Sequence, residues 1–187
     1  IQRILTKTLN KTNKNYCSCN SFLSLIVMKK IKIETEFDVY DAISELAIPV
    51  QNLIKKAAEA REKAYAPYSQ FLVGAALELE NGEIILGNNQ ENASYPSGLC
   101  AERTAIYYAG AEFPNQKILR MAIVAGSTKN PTIKPIPPCG ACRQALSEYE
   151  VKQNTEMELY FMGTSGQIAF SKSVENILPW VFDKTVL

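Results

Sequence analysis

Histidine is absent from all 187 residues of this chain. Imidazole is the usual side chain for proton transfer near neutral pH, so such chemistry must here come from carboxylates or thiols. No apolar run approaches the ~20 residues that a membrane-spanning helix requires. The longest apolar candidate near the N-terminus, residues 22–27, is shorter than the ~7–15-residue apolar region of a secretory signal. These absences predict a cytoplasmic protein without a membrane partner.

Acidic residues are missing from positions 1–30, which hold six basic residues: Arg3, Lys7, Lys11, Lys14, Lys29 and Lys30. The whole chain has 20 basic and 19 acidic residues, so positions 31–187 keep 14 basic against 19 acidic residues, a net charge of −5. Nucleic-acid binding depends mainly on Lys and Arg side chains that neutralise phosphates. We therefore expect no nucleic-acid partner.

The first 27 residues differ in character from the rest of the chain. They are polar and basic, begin with Ile1 and run into Met28. We interpret residues 1–27 as a flexible or non-native tail, with an organelle transit peptide as the alternative, because such peptides are also basic and poor in acids. Cys17 and Cys19 have no second cysteine pair near them in this segment and are interpreted as unpaired thiols. Residues 28–187 are predicted to form a single domain.

Residues 30–71 are predicted to contain one extended segment and one helix. Ile31 and Ile33 alternate with charged residues, which indicates an edge strand or an extended arm over residues 30–40. Apolar residues at helical spacing, with a proline in the first turn, predict a helix over residues 49–65.

A β-hairpin and a series of alternating helices and strands follow. Asn81-Gly82 is a strong hairpin signal and predicts a turn between two strands, residues 71–80 and 83–88. Further elements are expected as helices at 100–111, 139–149 and 173–182, and as strands at 118–126, 156–163 and 167–171. This order predicts an α/β fold, a three-layer α/β/α sandwich with a mixed sheet of about five strands.

Three of the five cysteines stand at predicted helix starts. Cys139 and Cys142 form a C-x-x-C after two prolines, and Cys100 begins the helix upstream. A C-x-x-C alone indicates either a redox dithiol or half of a zinc site. A redox pair normally follows a βαβ start near the N-terminus, whereas this pair occurs late. Structural zinc needs ~4 protein ligands and catalytic zinc ~3 plus a water, so three thiols favour an open, catalytic Zn²⁺ site.

The surroundings of these thiols are predicted to keep them ionised. Helix N-termini favour thiolate over thiol, but three thiolates on Zn²⁺ leave a net charge of −1 and a weak Lewis acid. Arg103 and Arg143 each follow a ligand cysteine, and hydrogen bonds from them to sulfur would raise the electrophilicity of the metal. The alternative is that both arginines are solvated helix residues.

Glu102 stands two residues after Cys100 and is predicted to be the catalytic proton carrier. It is too close to Cys100 in the chain to be a good fourth ligand. It is instead placed to take a proton from a water on the metal and to return that proton later. The alternative is an exposed glutamate that stabilises the N-terminus of a helix.

The segments "CAE" and "PCGACRQ" resemble the signature of the zinc-dependent cytidine deaminases. Three further blocks are similar to blocks of that family in the same order: "YAPYSQFLVGAAL" at 65–77, "NNQENASY" at 88–95 and "ILPWVF" at 177–182. The resemblance covers roughly residues 50–182. It implies an α/β/α fold and, for short members with three cysteine ligands, a homotetramer.

The resemblance also implies roles for five residues that contact the substrate. Asn89 and Glu91 match the pair that holds the ribose hydroxyls, and Phe71 matches the aromatic residue of the base pocket. Ala101 matches the residue whose backbone N–H meets the base carbonyl. Phe182 matches the ring that stacks on the base from a neighbouring subunit. The alternatives are a polar strand end for Asn89 and Glu91 and core packing for Phe71.

The resemblance implies hydrolytic deamination of cytidine and deoxycytidine to uridine and deoxyuridine, with release of ammonia and with Zn²⁺ as cofactor. Three alternatives stay open at this point. A nucleic-acid editing deaminase would need a basic groove, which the net charge of −5 disfavours. A deaminase of a cytosine-containing nucleoside antibiotic would share the fold and the metal ligands. A structural zinc module would need a fourth ligand and would have no use for Glu102.

Overall fold

A computed structural model of the chain describes residues 28–187. The predictions for residues 1–27, Cys17 and Cys19 among them, lie outside the described residues. The chain divides into a unit of Ile1–Lys32 and a unit of Ile33–Leu187. In the first unit, residues 28–32 are exposed and have no regular secondary structure. No helix within the described range has the length and apolar character needed to cross a membrane.

The second unit contains one six-stranded mixed sheet in the order β1-β6-β5-β4-β2-β3. Its strands are β1 Asp38–Tyr40, β2 Phe71–Leu79, β3 Ile84–Asn88, β4 Ile118–Ser127, β5 Glu158–Met162 and β6 Ile168–Ser171. β4 and β5 are parallel, and every other neighbouring pair is antiparallel. This confirms the predicted mixed sheet, with six strands where about five were expected.

The additional strand is β1, a three-residue edge strand that pairs Asp38 with Phe170 and Tyr40 with Ile168. Its partner β6 has only four residues, so the ladder cannot extend far toward the N-terminus. Ile31 and Ile33 consequently lie outside any strand and are exposed. Only the end of the segment predicted as an edge strand therefore pairs with the sheet.

Within residues 28–187, four α-helices cover the sheet: α1 Ile48–Arg61, α2 Ala101–Glu112, α3 Gly140–Gln153 and α4 Val174–Ile177. α1 is shorter than predicted because Tyr65 pairs with a distant segment instead. The N–H of Tyr65 donates to the carbonyl of Asn89 at 3.0 Å, and the carbonyl of Tyr65 accepts from the N–H of Glu91 at 2.8 Å. α4 is also shorter than predicted, because Pro179 lacks an N–H and disfavours helical geometry at Leu178.

The helices occupy both faces of the sheet, which confirms the three-layer α/β/α architecture. α1 packs on one face, where its buried residues meet alternate residues of β2, β4, β5 and β6: Val50, Leu53 and Ile54 with Ala76, Ala122, Tyr160 and Ile168. α2, α3 and α4 pack on the other face: Ala105, Ile106, Leu146 and Val174 with Ala75, Leu77, Ile123 and Leu159. The alternation of buried residues along β2 follows from the two-residue period of a strand.

Strand direction brings the starts of α2 and α3 to one edge of the sheet. β3 and β4 are both antiparallel to β2, so they run in the same direction and end at the same edge. α2 follows β3 and α3 follows β4 in the chain. The N-terminus of α2 also packs closely on β3. The contact leaves no room for a side chain at Gly87, since a Cβ there would overlap the carbonyl oxygen of Ala101. The two helix N-termini therefore meet beside the end of β3.

Candidate metal and active site

The three cysteines at these helix starts form a compact group of sulfur atoms. Cys100 is the N-cap residue of α2, Cys139 is the N-cap residue of α3, and Cys142 lies in the first turn of α3. The sulfur of Cys139 lies 3.8 Å from that of Cys100 and 3.5 Å from that of Cys142. All three sulfurs are within 4.8 Å of one another. The predicted thiol ligands are thus brought together.

These separations fit a tetrahedral metal ion. Three sulfurs bound at ~2.3 Å to one tetrahedral Zn²⁺ would lie about 3.8 Å apart. A disulfide would bring two sulfurs to about 2.0 Å, and all three cysteines are free. Within residues 28–187 the group has no fourth His, Cys, Asp or Glu ligand. The donor set can therefore hold a metal ion and leave one coordination position open.

Hydrogen bonds from neighbouring groups favour a thiolate at Cys100. Nη2 of Arg103 lies 3.6 Å from the sulfur of Cys100. The pKa of Cys100 falls to about 5, chiefly because its thiolate accepts a hydrogen bond from the Cys142 thiol, with a further contribution from Arg103. The pKa of Cys142 rises, because its thiol donates that hydrogen bond and is buried. The group is thus prepared to carry a negative charge at Cys100, and the thiolate is the form in which cysteine binds a metal ion.

The two arginines next to ligand cysteines have different partners. Arg103 donates to the sulfur of Cys100. Arg143 instead donates from Nε to the carbonyl of Pro138 at 2.8 Å and from Nη1 to the carbonyl of Ile177 at 3.0 Å. These two bonds fix the loop before Cys139 and the end of α4. In the structure Arg143 therefore orients the backbone around the ligands and makes no hydrogen bond to a sulfur.

Glu102 lies in the first turn of α2 and is only 4% exposed. Burial raises the pKa of its carboxyl group to about 7, and the nearby charge of Cys100 acts in the same direction. A carboxyl with a pKa near 7 can both accept and release a proton at neutral pH, which is the requirement for general acid–base catalysis. The alternative of an exposed helix glutamate does not apply, because the side chain is buried.

A groove of about 470 Å³ opens beside the sulfur group. Its lining includes Asn89, Glu91, Cys100 and Arg103. The structure thus places the two residues predicted to bind a sugar in the same groove as one metal ligand. They lie just beyond the end of β3, and Gln90 between them forms isolated bridges to Tyr65 and Leu99. Both side chains reach the groove from this position beyond the strand.

The side chains of Asn89 and Glu91 also bind nearby backbone. Oδ1 of Asn89 accepts from the N–H of Val73 at 2.8 Å, and its Nδ2 donates to the carbonyl of Phe71 at 2.9 Å. Oε2 of Glu91 accepts from the N–H groups of Tyr68 and Ser69 at 3.0 and 3.2 Å. Hydrogen bonds from the Ser69 side chain and from these N–H groups lower the pKa of Glu91. Both side chains are held in place by these bonds.

The other predicted substrate residues lie outside the lining of the groove. Phe71 is the first residue of β2 and is half-buried. Ala101 is fully buried at the first position of α2, where a backbone N–H has no partner within the helix. Phe182 is 62% exposed.

Sequence reasoning missed two aromatic residues that line the groove, Tyr68 and Tyr95. Their ring centroids lie 6.0 Å apart at 60°. Tyr68 lies in the block at 65–77 and Tyr95 in the block at 88–95, and both blocks carry the resemblance. Membership of these blocks is the signal in the sequence that could have identified the two residues.

Comparisons with known proteins agree with this geometry. The sequence model of the cytidine and deoxycytidylate deaminase zinc-binding region matches residues 49–156. The cytidine deaminase of Halalkalibacterium halodurans is 43% identical over 132 residues, which cover 71% of this chain and 92% of that protein. The crystal structure of cytidine deaminase from Burkholderia pseudomallei is 40% identical, with a TM-score of 0.61, covering 70% of this chain and 97% of that one.

A second solved structure, cytidine deaminase from Mycobacterium tuberculosis, is 29% identical with a TM-score of 0.57 and covers 73% of this chain and 99% of that one. The matched region, residues 49–156, contains Glu102 and all three cysteines of the sulfur group. The chain belongs to the cytidine and deoxycytidylate deaminase zinc-binding family.

Proposed function

We propose that this chain is a zinc-dependent enzyme that hydrolyses cytidine and deoxycytidine to uridine and deoxyuridine, with release of ammonia. The observation that carries the proposal is the buried Glu102 carboxyl two residues from Cys100, at the edge of a three-sulfur group with an open position. Cys100, Cys139 and Cys142 would hold the metal. When bound, Zn²⁺ lowers the pKa of a coordinated water toward neutrality and so supplies the nucleophile.

Glu102 performs the proton transfers in this proposal. Its carboxylate accepts a proton as water attacks C4 of the pyrimidine and delivers that proton to N3. It then takes the remaining proton from the new C4 hydroxyl and passes it to the amine, so the C4–N bond breaks, ammonia leaves and the C4 carbonyl forms. The net reaction consumes one water and yields the uridine product and ammonia. A pKa near 7 allows the same group to act as base and acid in one turnover.

Asn89 and Glu91 bind the sugar. An amide has one further N–H and a further lone pair after the two bonds that Asn89 makes to β2. A carboxylate has about four acceptor positions, and the two backbone bonds of Glu91 use only Oε2. Both groups can therefore contact a ribose hydroxyl without losing the bonds that position them. The negative charge of Glu91 suits a neutral nucleoside better than a nucleotide phosphate.

The base would be held by three further residues. The backbone N–H of Ala101 meets the base carbonyl, and Phe71 lines the base pocket. Phe182 stacks on the base from a neighbouring subunit of a homotetramer, in agreement with its 62% exposure and its position outside the groove. Arg103 supports the metal ligands through Cys100, and Arg143 supports them through the backbone.

We place the enzyme in the cytoplasm, because its three free thiols must stay reduced to bind metal. The named relatives are cytidine deaminases, which disfavours an antibiotic substrate. The three-sulfur group with a buried glutamate disfavours a structural zinc module.

A direct ultraviolet assay tests the proposal. Purified protein is mixed with cytidine, deoxycytidine or free cytosine, and the conversion of each cytosine ring to a uracil ring is followed by absorbance. Both nucleosides should be converted, and cytosine should be nearly inert. Binding energy from the sugar is needed to place C4 at the metal site, so a substrate without sugar loses turnover as well as affinity. Efficient turnover of cytosine, or none of cytidine, would contradict the nucleoside assignment.

A further inference from the structure

The C-terminal segment, defined as residues 173–182, is fastened to α3 at three levels. Glu150 accepts hydrogen bonds from the N–H groups of Val174 and Glu175 at 2.9 and 3.0 Å. Arg143 donates to the carbonyl of Ile177 at 3.0 Å. Nε2 of Gln144 donates to the carbonyl of Phe182 at 2.8 Å. The first two attachments hold α4, and the third holds the chain beyond it.

The attachment through Gln144 supplies the hydrogen bond that holds residues 179–182. After Leu178 the segment has no regular secondary structure up to Phe182. Within the part of the chain that the structure describes, the bond from Gln144 is the only hydrogen bond that reaches residues 179–182. Burial of side chains contributes little, since Trp180 is 73% exposed and Phe182 is 62% exposed, and only Val181 among these residues is half-buried.

Gln144 also stands close to the metal ligands on the same helix. It follows Cys142 by two residues and Cys139 by five, within the first turns of α3. A helix is rigid over so short a distance, so a group held by Gln144 keeps a constant position relative to the two sulfurs. The backbone of Phe182 therefore keeps a fixed position relative to the metal ligands Cys139 and Cys142 of its own chain.

We propose that Gln144 is a positioning residue for base recognition. Its amide holds the backbone of Phe182 so that the ring is presented, already ordered, to the base-binding site that it completes. This inference rests on the proposed function, in which Phe182 stacks on the pyrimidine. Without the amide, residues 179–182 become mobile and the ring has to be ordered on each binding event, which costs affinity.

The expected kinetic effect is on KM. Stacking of Phe182 on the base exists in the bound substrate as well as in the transition state, so its loss raises KM and leaves kcat nearly unchanged. A net hydrogen bond contributes about 0.5–1.5 kcal/mol, so the rise in KM for cytidine should be about 2- to 13-fold.

The test uses two substitutions of Gln144 and one control substitution on the same helix, α3, all in the full chain. Gln144→Glu keeps the length of the side chain but removes the N–H donor, and Gln144→Leu removes it without adding charge. The control Glu148→Gln changes an exposed side chain one turn further along the helix. Trp180 is the only tryptophan of the chain, so its fluorescence anisotropy reports the order of the segment without any reference to activity.

Both Gln144 variants should lower the anisotropy of Trp180 and raise KM, with kcat within twofold and full metal content, and Glu148→Gln should match the wild type. Unchanged anisotropy in both Gln144 variants would overturn the attachment. Lower anisotropy with unchanged KM would overturn the role in base recognition, and a loss of metal or of kcat alone would assign Gln144 to the metal centre. If the wild type does not deaminate cytidine, the proposed function fails, and the anisotropy still decides whether Gln144 holds the segment.

Discussion

Cys100 and Cys139 are 39 residues apart in the chain, yet their sulfur atoms lie 3.8 Å apart, each at the N-cap of a different helix. The sheet explains this closeness, because the strands that precede the two helices run in the same direction and end at one edge. N-cap residues have extended backbone, so their side chains project beyond the helix end. The two N-termini therefore aim both sulfurs, and their partly positive N–H groups, at one point.

Removal of a single thiol from this group should empty the metal site. Cys139→Ala leaves two sulfurs, which cannot complete a three-ligand site. Elemental analysis of the purified protein should show about one zinc per chain in the wild type and little in the variant. The matched control replaces Cys17 and Cys19 together by alanine, and this variant should keep its zinc. Full zinc content in Cys139→Ala would remove Cys139 from the site.

Glu102→Gln should abolish most activity while the fold and the metal remain. An amide cannot carry a proton between water, N3 and the amine, and general acid–base catalysis is worth roughly 10²–10⁴-fold. Turnover of cytidine should therefore fall by at least that factor, measured together with zinc content and thermal unfolding. Glu112→Gln, at the exposed end of the same helix, is the control. Activity within tenfold of the wild type would refute the proton-carrier role.

Glu91 should matter for nucleosides and much less for the bare base. Glu91→Ala should lower kcat/KM for cytidine sharply and leave the poor rate on cytosine almost unchanged. Because Glu91 also accepts from Tyr68 and Ser69, Glu91→Gln is needed as a companion that keeps an acceptor for those N–H groups. Equal losses on both substrates, together with a lower melting temperature, would mean that Glu91 supports the fold and not the sugar.

Phe182 should act on a neighbouring subunit of a tetramer. Base–aromatic stacking is worth about 1–3 kcal/mol, so Phe182→Ala should lower kcat/KM by about 5- to 160-fold. Mixed tetramers of Phe182→Ala and Glu102→Gln chains, purified through two different tags, should regain activity. In such a tetramer a Glu102→Gln chain supplies an intact Phe182 ring to the active site of a Phe182→Ala chain, which has an intact Glu102.

Hybrids of Glu102→Gln with Cys139→Ala chains serve as the control, since both defects then lie in the site of the chain that carries them, and they should show no gain. Light scattering on the wild type should give the mass of a tetramer. A fully active monomer would disprove the contribution from a neighbour.

The order of the elements and the chemistry of the site could be predicted from the sequence because both depend on local signals. Apolar periodicity indicates helices and strands, and Asn81-Gly82 specifies a hairpin turn. Three cysteines at helix starts with a glutamate beside one of them predict a thiolate metal site, since the helix N-terminus acts on the residues within it. The family model, which matches residues 49–156, agrees with that interpretation.

The tertiary structure decided what depends on residues far apart in the chain. α1 ends early because Tyr65 pairs with Asn89 and Glu91, and β1 becomes a sixth strand because β6 offers it an edge. Arg143 and Arg103 look equivalent in the sequence, yet only Arg103 reaches a sulfur. Gln144 belongs to the segment "PCGACRQ", but the segment does not show what Gln144 binds, because its partner is 38 residues away. Local propensity acts over a few residues, whereas these contacts follow from strand pairing and helix packing, which the sequence encodes only through the whole fold.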